Sequence, residues 1–330
     1  MLNTFSWCRM MFFKAILFLP VFAFAVPTVT DVTAKQRFPW NGLVDIKCKV
    51  AGIEDTKSYK FCVDAVMPDF GTTSRLSQFW VMQNGTRQNN FEVTANGDYH
   101  LIWDAKAELG SVLCTNMIVC VSLFYRERVQ LWKGGPYWAT TNIGAEKPED
   151  YGYYFWWGDT VGYKRENDKW VASDGSNSNF SFAGSNVPTY DKSNSALQSE
   201  GWITADGALA PEHDAAHKHW GGDWRMPTNQ EFDDLNSKCD WTWGSLNGVN
   251  GYVVRGRDSY ASNSIFLPCA GDGSGASLYN AGSYGLYWSS VPGSEYYYAW
   301  HFRFFSGLHY TDHIYRFNGL SVRPLQGFTK

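Results

Sequence analysis

Apolar and polar residues alternate along the first third of the chain. Leu43-Val44-Asp45-Ile46-Lys47-Cys48-Lys49-Val50 puts every second side chain on one face, the period of a half-buried strand. Tyr59 to Met67 repeats the pattern and stops at Pro68-Asp69-Phe70-Gly71, a run of turn residues. Asn96-Gly97-Asp98 forms a turn that feeds Tyr99 to Asp104, and Met117 to Tyr125 is a further β-branched run bounded by rings. Short strands at this spacing over residues 26–128 predict a β-sandwich without a catalytic signature, suited to a spacer or adhesion role.

From Val129 to Gly135 the texture changes: rings and glycines become denser, and Gly134-Gly135-Pro136 marks a boundary. A second domain is expected over 129–330, with a polar, Ser- and Asn-rich surface insertion at 164–192 that is ordered only if it packs on the domain. Trp224-Arg225-Met226-Pro227 reads as a strand ended by proline. Thr228 and Glu231 then have the spacing of a capping box, opening a helix through Phe232 and Leu235. Near the end, Tyr296 to Phe304 alternates so that Trp300, Phe302 and Phe304 face one way and His301 and Arg303 the other. Ser306-Gly307 makes the turn, and Leu308 to Tyr315 returns as a second strand.

Length and composition agree with two β-rich domains. The 330 residues are 44% hydrophobic and 17% aromatic with 16 Trp, a loop-rich composition in which large rings clamp irregular backbone. A net charge of −4 leaves no basic footprint for nucleic acid. Arg9 and Lys14 ahead of the short apolar run Ala15 to Ala25, ending Ala23-Phe24-Ala25, read as a signal peptide over 1–25. The expected location is therefore secreted, periplasmic or on the cell surface, and no stretch is long and apolar enough for a membrane span. Six cysteines then remain: Cys48, Cys62, Cys114, Cys120, Cys239 and Cys269. An even number in an exported chain suggests disulfides, with Cys239–Cys269 the one intradomain option in the second half; buried free thiols are the alternative.

Five motifs occur in order in the second half. They are Trp138-Ala139-Thr140-Thr141-Asn142-Ile143-Gly144-Ala145 with Asp150 to Asp159; Trp220-Gly221-Gly222-Asp223-Trp224-Arg225-Met226-Pro227-Thr228; Ser264 to Pro268 with Ala270-Gly271; Trp288-Ser289-Ser290; and Ser321-Val322-Arg323-Pro324. Together they resemble the Fibrobacter succinogenes major paralogous domain family, over roughly Val129 to Leu325. The resemblance implies an α+β C-type-lectin-like domain, the fold of formylglycine-generating enzymes and of retroelement variable proteins. The first half resembles the Ig-like sandwich that precedes such domains. Trp224, Arg225, Trp288 and Arg323 are then structural, with Asp150, Asp159 or Asp223 as ion-pair partners for the arginines.

The enzymatic relatives hold copper on a C-terminal cysteine pair. This chain has no cysteine after Cys269, so the implied catalysis fails at that point and no cofactor is expected. Calcium-dependent sugar binding lacks its Glu-Pro-Asn, Gln-Pro-Asp and Trp-Asn-Asp signatures, and Asp272-Gly273-Ser274-Gly275 offers one carboxylate. His213 and His217 share helical spacing without a third ligand, so no metal site is assigned.

Tyr287 to Leu325 carries the binding expectation, because Tyr supplies rigid contact area and Ser, Asn and Asp supply adaptable hydrogen bonds. The candidate ligand-binding residues are Tyr296, Tyr298, His301, Phe305, His309, Tyr310, Asp312, His313, Tyr315 and Asn318. In retroelement variable proteins the corresponding hairpin is diversified toward these residue types. The expected function is a secreted or surface-exposed, non-catalytic protein recognising a protein or glycan ligand through this aromatic-rich hairpin face. A formylglycine-generating-enzyme-like enzyme, disfavoured for want of the cysteine pair, and a structural cell-envelope protein are the alternatives.

Overall fold

The structure is a computed structural model that describes residues 27–89, 91–110 and 116–327. The expected signal peptide and Cys114 lie outside the described residues. Alternation in the first half produces the strands it predicts: β1 (Thr28–Gln36), β2 (Leu43–Ala51), β3 (Lys57–Met67), β4 (Thr72–Arg75), β5 (Phe79–Gln83), β6 (Thr86–Gln88), β7 (Gly97–Asp104) and β8 (Ile118–Gln130). They form two antiparallel sheets, β1-β2-β7-β5-β6 and β4-β3-β8. Between the sheets lie Ile46, Cys48 and Val50 of β2, Tyr59, Phe61 and Val63 of β3, and Leu101 and Trp103 of β7. Polar partners at the intervening positions face outward, as period-two alternation requires.

The second sheet does not stop at the sandwich. β8 runs 13 residues and from Arg128 onward pairs with β9 (Tyr137–Ala139), which pairs in turn with Leu325–Gln326. The boundary expected between 128 and 129 therefore falls inside a strand shared by both halves.

The expected α+β C-type-lectin-like domain behind an Ig-like sandwich is not the fold class observed. The chain is mostly β, 46% strand against 13% helix, in several small antiparallel sheets. Past β9 come a hairpin of β10 (Tyr163–Glu166) and β11 (Lys169–Ala172), then, after a five-residue α1 in the first half (Ala105–Leu109), the helices α2 (Asn194–Ser199), α3 (Ala215–Trp220) and α4 (Asn229–Lys238). A three-stranded sheet follows, β12 (Asp240–Leu246), β13 (Val249–Arg255) and β14 (Ser264–Pro268); then the pair β15 (Asp272–Ser274) and β16 (Ser277–Tyr279). A second three-stranded sheet holds β17 (Gly285–Pro292), β18 (Tyr298–Phe305) and β19 (Leu308–Tyr315), and β20 is Leu325–Gln326. The physical reason for so little helix is visible locally. α2 and α3 end after six residues, α3 at Gly221, whose positive φ breaks the helix. Only α4, which buries Glu231, Phe232 and Leu235, has a complete capping box among the described helices. These helices sit on sheets one at a time and build no layer of their own.

The insertion at 164–192 is not loose. Trp170, Phe180 and Phe182 are buried with Tyr154, Tyr163 and Ala270 in a small aromatic core. Gly319 and Gly273 make room for it: a Cβ on Gly319 would lie 2.4 Å from the Phe182 ring, and one on Gly273 2.7 Å from it.

The disulfide expected between Cys239 and Cys269 is absent, and both are buried free thiols. Asp240 pairs with Arg255 and Arg255 with Ser264, whereas Cys269 follows Pro268 at the far end of β14. Five residues of strand separate the two ends by about 13 Å, while a disulfide requires Cα atoms within about 7 Å. Cys48 faces the sandwich core, and Cys62 and Cys120 lie on the outward face of the opposite sheet. No disulfide joins the described residues.

Both arginines are structural, with partners other than those expected. Arg225 makes a two-pronged ion pair with Glu231, at 2.7 and 2.5 Å, so the capping-box carboxylate serves helix and arginine together. Arg323 is fully buried without a carboxylate: it donates to Asn142 Oδ1 (2.8 Å), the Ala139 carbonyl (3.1 Å) and the Phe266 carbonyl (2.9 Å). Trp224 and Trp288 are core, their indole N–H groups donating to Ser58 Oγ and the Phe155 carbonyl.

Candidate functional site

β18 is the middle strand of its sheet, paired with β17 on one side and β19 on the other. Both of its faces are covered over most of its length. Phe302 and Phe304 pack under α4, with Phe302 stacked on Phe232 at 5.1 Å, while Ala299 belongs to the other core with Trp288. His301 follows Ala299 inward: it is 2% exposed, lies beside Trp288, and neither ring nitrogen has a hydrogen-bond partner. Burial pushes its pKa down to about 4, so the ring is neutral. His301 offers no surface to a ligand. Asn318 is also interior, donating to a buried carboxylate oxygen of Asp272.

At the open end of the sheet the rings become accessible. Tyr190, Tyr296, Tyr297, Tyr298, Tyr315 and Phe317 form one continuous network, with centroid separations from 4.8 Å (Tyr298–Tyr315) to 6.4 Å (Tyr190–Tyr315). Tyr296 is 56% exposed and Tyr315 40%. Beside them a shallow groove of about 330 Å³ is lined by Ser294, Glu295, Tyr298, His313, Ile314 and Tyr315. The neighbouring Tyr315 hydroxyl pushes the pKa of Tyr298 up to about 12. His313 lies against Trp300, centroids 3.8 Å apart, so the histidine forms a wall with a fixed orientation.

The network is held from behind by Arg316. This buried side chain donates from Nε to the Tyr298 carbonyl (2.9 Å) and from Nη1 to the carbonyls of Thr189 (2.9 Å) and Lys192 (2.8 Å). Nη2 donates to Asn194 Oδ1 at 3.2 Å. The guanidinium thus fastens the end of the insertion to the end of the hairpin and brings Tyr190 into the ring network.

Of the ten sequence-predicted residues, the structure brings together Tyr296, Tyr298, His313 and Tyr315. Phe305 is at the opposite end of the hairpin against Tyr284, and Tyr310 and Asp312 are half-buried along β19. His309 stacks on Trp241 at 4.5 Å and bonds Asn236 of α4 at 2.5 Å, a packing position. Tyr190, Tyr297, Phe317 and Arg316 were missed. Tyr297 and Phe317 are of the same residue types as the candidates, and only the ring network at the end of the hairpin marks them out. Tyr190 is more than a hundred residues from the hairpin, and no local pattern places it there.

The site supplies ring faces, hydroxyl donors, an imidazole and one carboxylate, which are tools of recognition. No group of three or more His, Cys, Asp or Glu among the described residues is placed to hold a metal ion. No described helix is long and apolar enough to cross a membrane. Comparison with protein-family models, curated proteins and solved structures finds no match.

Proposed function

We propose that this is an exported, non-catalytic binding protein that recognises a protein or glycan ligand through the aromatic rim at the end of β18 and β19. The observation that carries the reading is the six-ring network bordering a groove whose polar groups are unlike one another: a serine, a glutamate, a histidine and two tyrosine hydroxyls. Rings locked by one another lose little entropy on binding, and Tyr combines an apolar face with a polar tip. The carboxylate of Glu295 favours neutral or cationic ligands over anionic ones at this groove. The five ordered sequence motifs add membership of the major paralogous domain family to the reading.

A glycan array and a pull-down from surface extracts, run with the unaltered protein and with Tyr298→Ala and Tyr315→Ala, test it. Loss of a captured ligand in both variants, with unfolding midpoints close to that of the parent, supports the rim. Undiminished capture by both variants rejects it.

A further inference from the structure

A second cleft lies where the two halves meet, about 460 Å³ in volume and walled by β3 and β8 of the sandwich on one side and α3 on the other. Its floor is the outward face of the sandwich sheet. In the β3–β8 register Ser58 stands opposite Arg126 and Lys60 opposite Phe124, so Lys60 and Arg126 are diagonal neighbours on one face. The Arg126 guanidinium carbon stands over the Trp220 ring, 4.0 Å from its centroid, and 4.7 Å from that of Phe124, contacts that leave its N–H groups unused. Among the described residues neither Lys60 nor Arg126 makes an ion pair or a side-chain hydrogen bond. His217, Lys218 and His219 of α3 add further nitrogen groups to the same cleft, against one lining carboxylate, Glu212.

That arrangement is costly without a counter-charge. Two half-buried cations repel each other, and burial lowers the pKa of both, Arg126 to about 10. The acid whose charge acts most on Lys60, Glu92, is already engaged by Gln326 and Arg128. Asp223 is exposed at the margin. An oxyanion would neutralise the pair and accept from the free guanidinium edge, the geometry in which arginine recognises phosphate, sulfate and carboxylate.

We propose that the cleft between β3, β8 and α3 binds a small ligand carrying an oxyanion, held by Arg126 and Lys60 and flanked by the indole of Trp220. This site is separate from the aromatic rim and has the opposite charge preference. The rim is acidic at Glu295, whereas the cleft is cationic.

Titration calorimetry with inorganic phosphate and with sulfate, at ionic strength held constant with sodium chloride, tests the assignment. The expected result is saturable binding at one site, weakened roughly tenfold or more by Arg126→Gln and by Lys60→Gln, the scale of one lost charge-assisted hydrogen bond. Tyr315→Ala is expected to bind the anion unchanged, which separates this site from the rim. If Arg126→Gln does not fold, Lys60→Gln alone gives the reading. Absence of saturable binding at tens of millimolar anion, or undiminished affinity in Lys60→Gln, overturns the proposal.

Discussion

Arg316 donates to the carbonyl of Thr189 at 2.9 Å, joining residues 127 positions apart and seating Tyr190 among the rings of the hairpin. The rim therefore depends on a cation buried behind it. Arg316→Met keeps the volume but leaves the carbonyls of Thr189, Lys192 and Tyr298 without their donor. A loss of about 3–5 kcal/mol is expected in urea unfolding, the cost of orphaning buried polar groups. Tyr315→Ala, at a half-exposed position, is expected to cost about 1 kcal/mol or less.

Arg323 makes a sharper case of the same chemistry. Three acceptors converge on it and none is charged, so removing the guanidinium strands Asn142 Oδ1 and two carbonyls in the core. Arg323→Ala is expected to destabilise by at least about 3 kcal/mol, and Arg323→Lys to recover only part of that, since one ammonium lacks the planar fork. Denaturant midpoints of the two variants check the order.

The buried histidine predicts an acid response with a definite sign. In the unfolded chain His301 takes up a proton near its ordinary 6.5; in the folded chain burial delays that to about 4. Its contribution is complete above pH 6.5 and is lost as pH falls from 6.5 toward 4, by up to about 3 kcal/mol. Asp159 acts in the opposite direction. Burial raises its pKa from 3.8 to about 7, so acidification through that window favours the folded state. His301→Leu is expected to flatten the acid loss of stability and Asp159→Asn to steepen it. Urea midpoints measured from pH 4 to pH 7 distinguish the two.

Burial pushes the thiols of Cys239 and Cys269 up to about 12, which removes the thiolate needed for reaction. Both are expected to resist alkylation in the folded protein and to react on unfolding without reductant. Cys120, on the outward sheet face, is expected to react in the native state. Mass spectrometry of labelled peptides decides it, and a requirement for reductant at Cys239 or Cys269 would contradict the free-thiol assignment.

The strands of the first half were legible because one face of each is core and the other is not, so alternation and burial coincide. The capping box at Thr228 and Glu231 was legible for a similar reason: both hydrogen bonds are local in sequence. Other features were hidden by distance. Glu231 is the partner of Arg225 because helix geometry folds it back, and Asn142 reaches Arg323 across 181 residues. His301 misled because alternation implies an exposed face, whereas a middle strand between two packed layers has none. The insertion misled in the opposite sense. Its polar composition hid three rings, Trp170, Phe180 and Phe182, that are enough to bury it. The helical content implied by family resemblance failed where short helices met early stops.

The 13-residue β8 has a mechanical consequence. Hydrogen bonds that begin in the sandwich at Ile118 continue to Gln130 beside β9, and Arg128 reaches across to Gln326 at 2.7 Å. A hinge needs a stretch of backbone free to rotate, and at this junction the backbone is committed to a ladder. The sandwich thus serves as a handle of fixed bearing. Whatever grips it sets the direction in which the tyrosine rim points, and tension applied between the two ends is carried along the strand as shear instead of being lost in a slack linker.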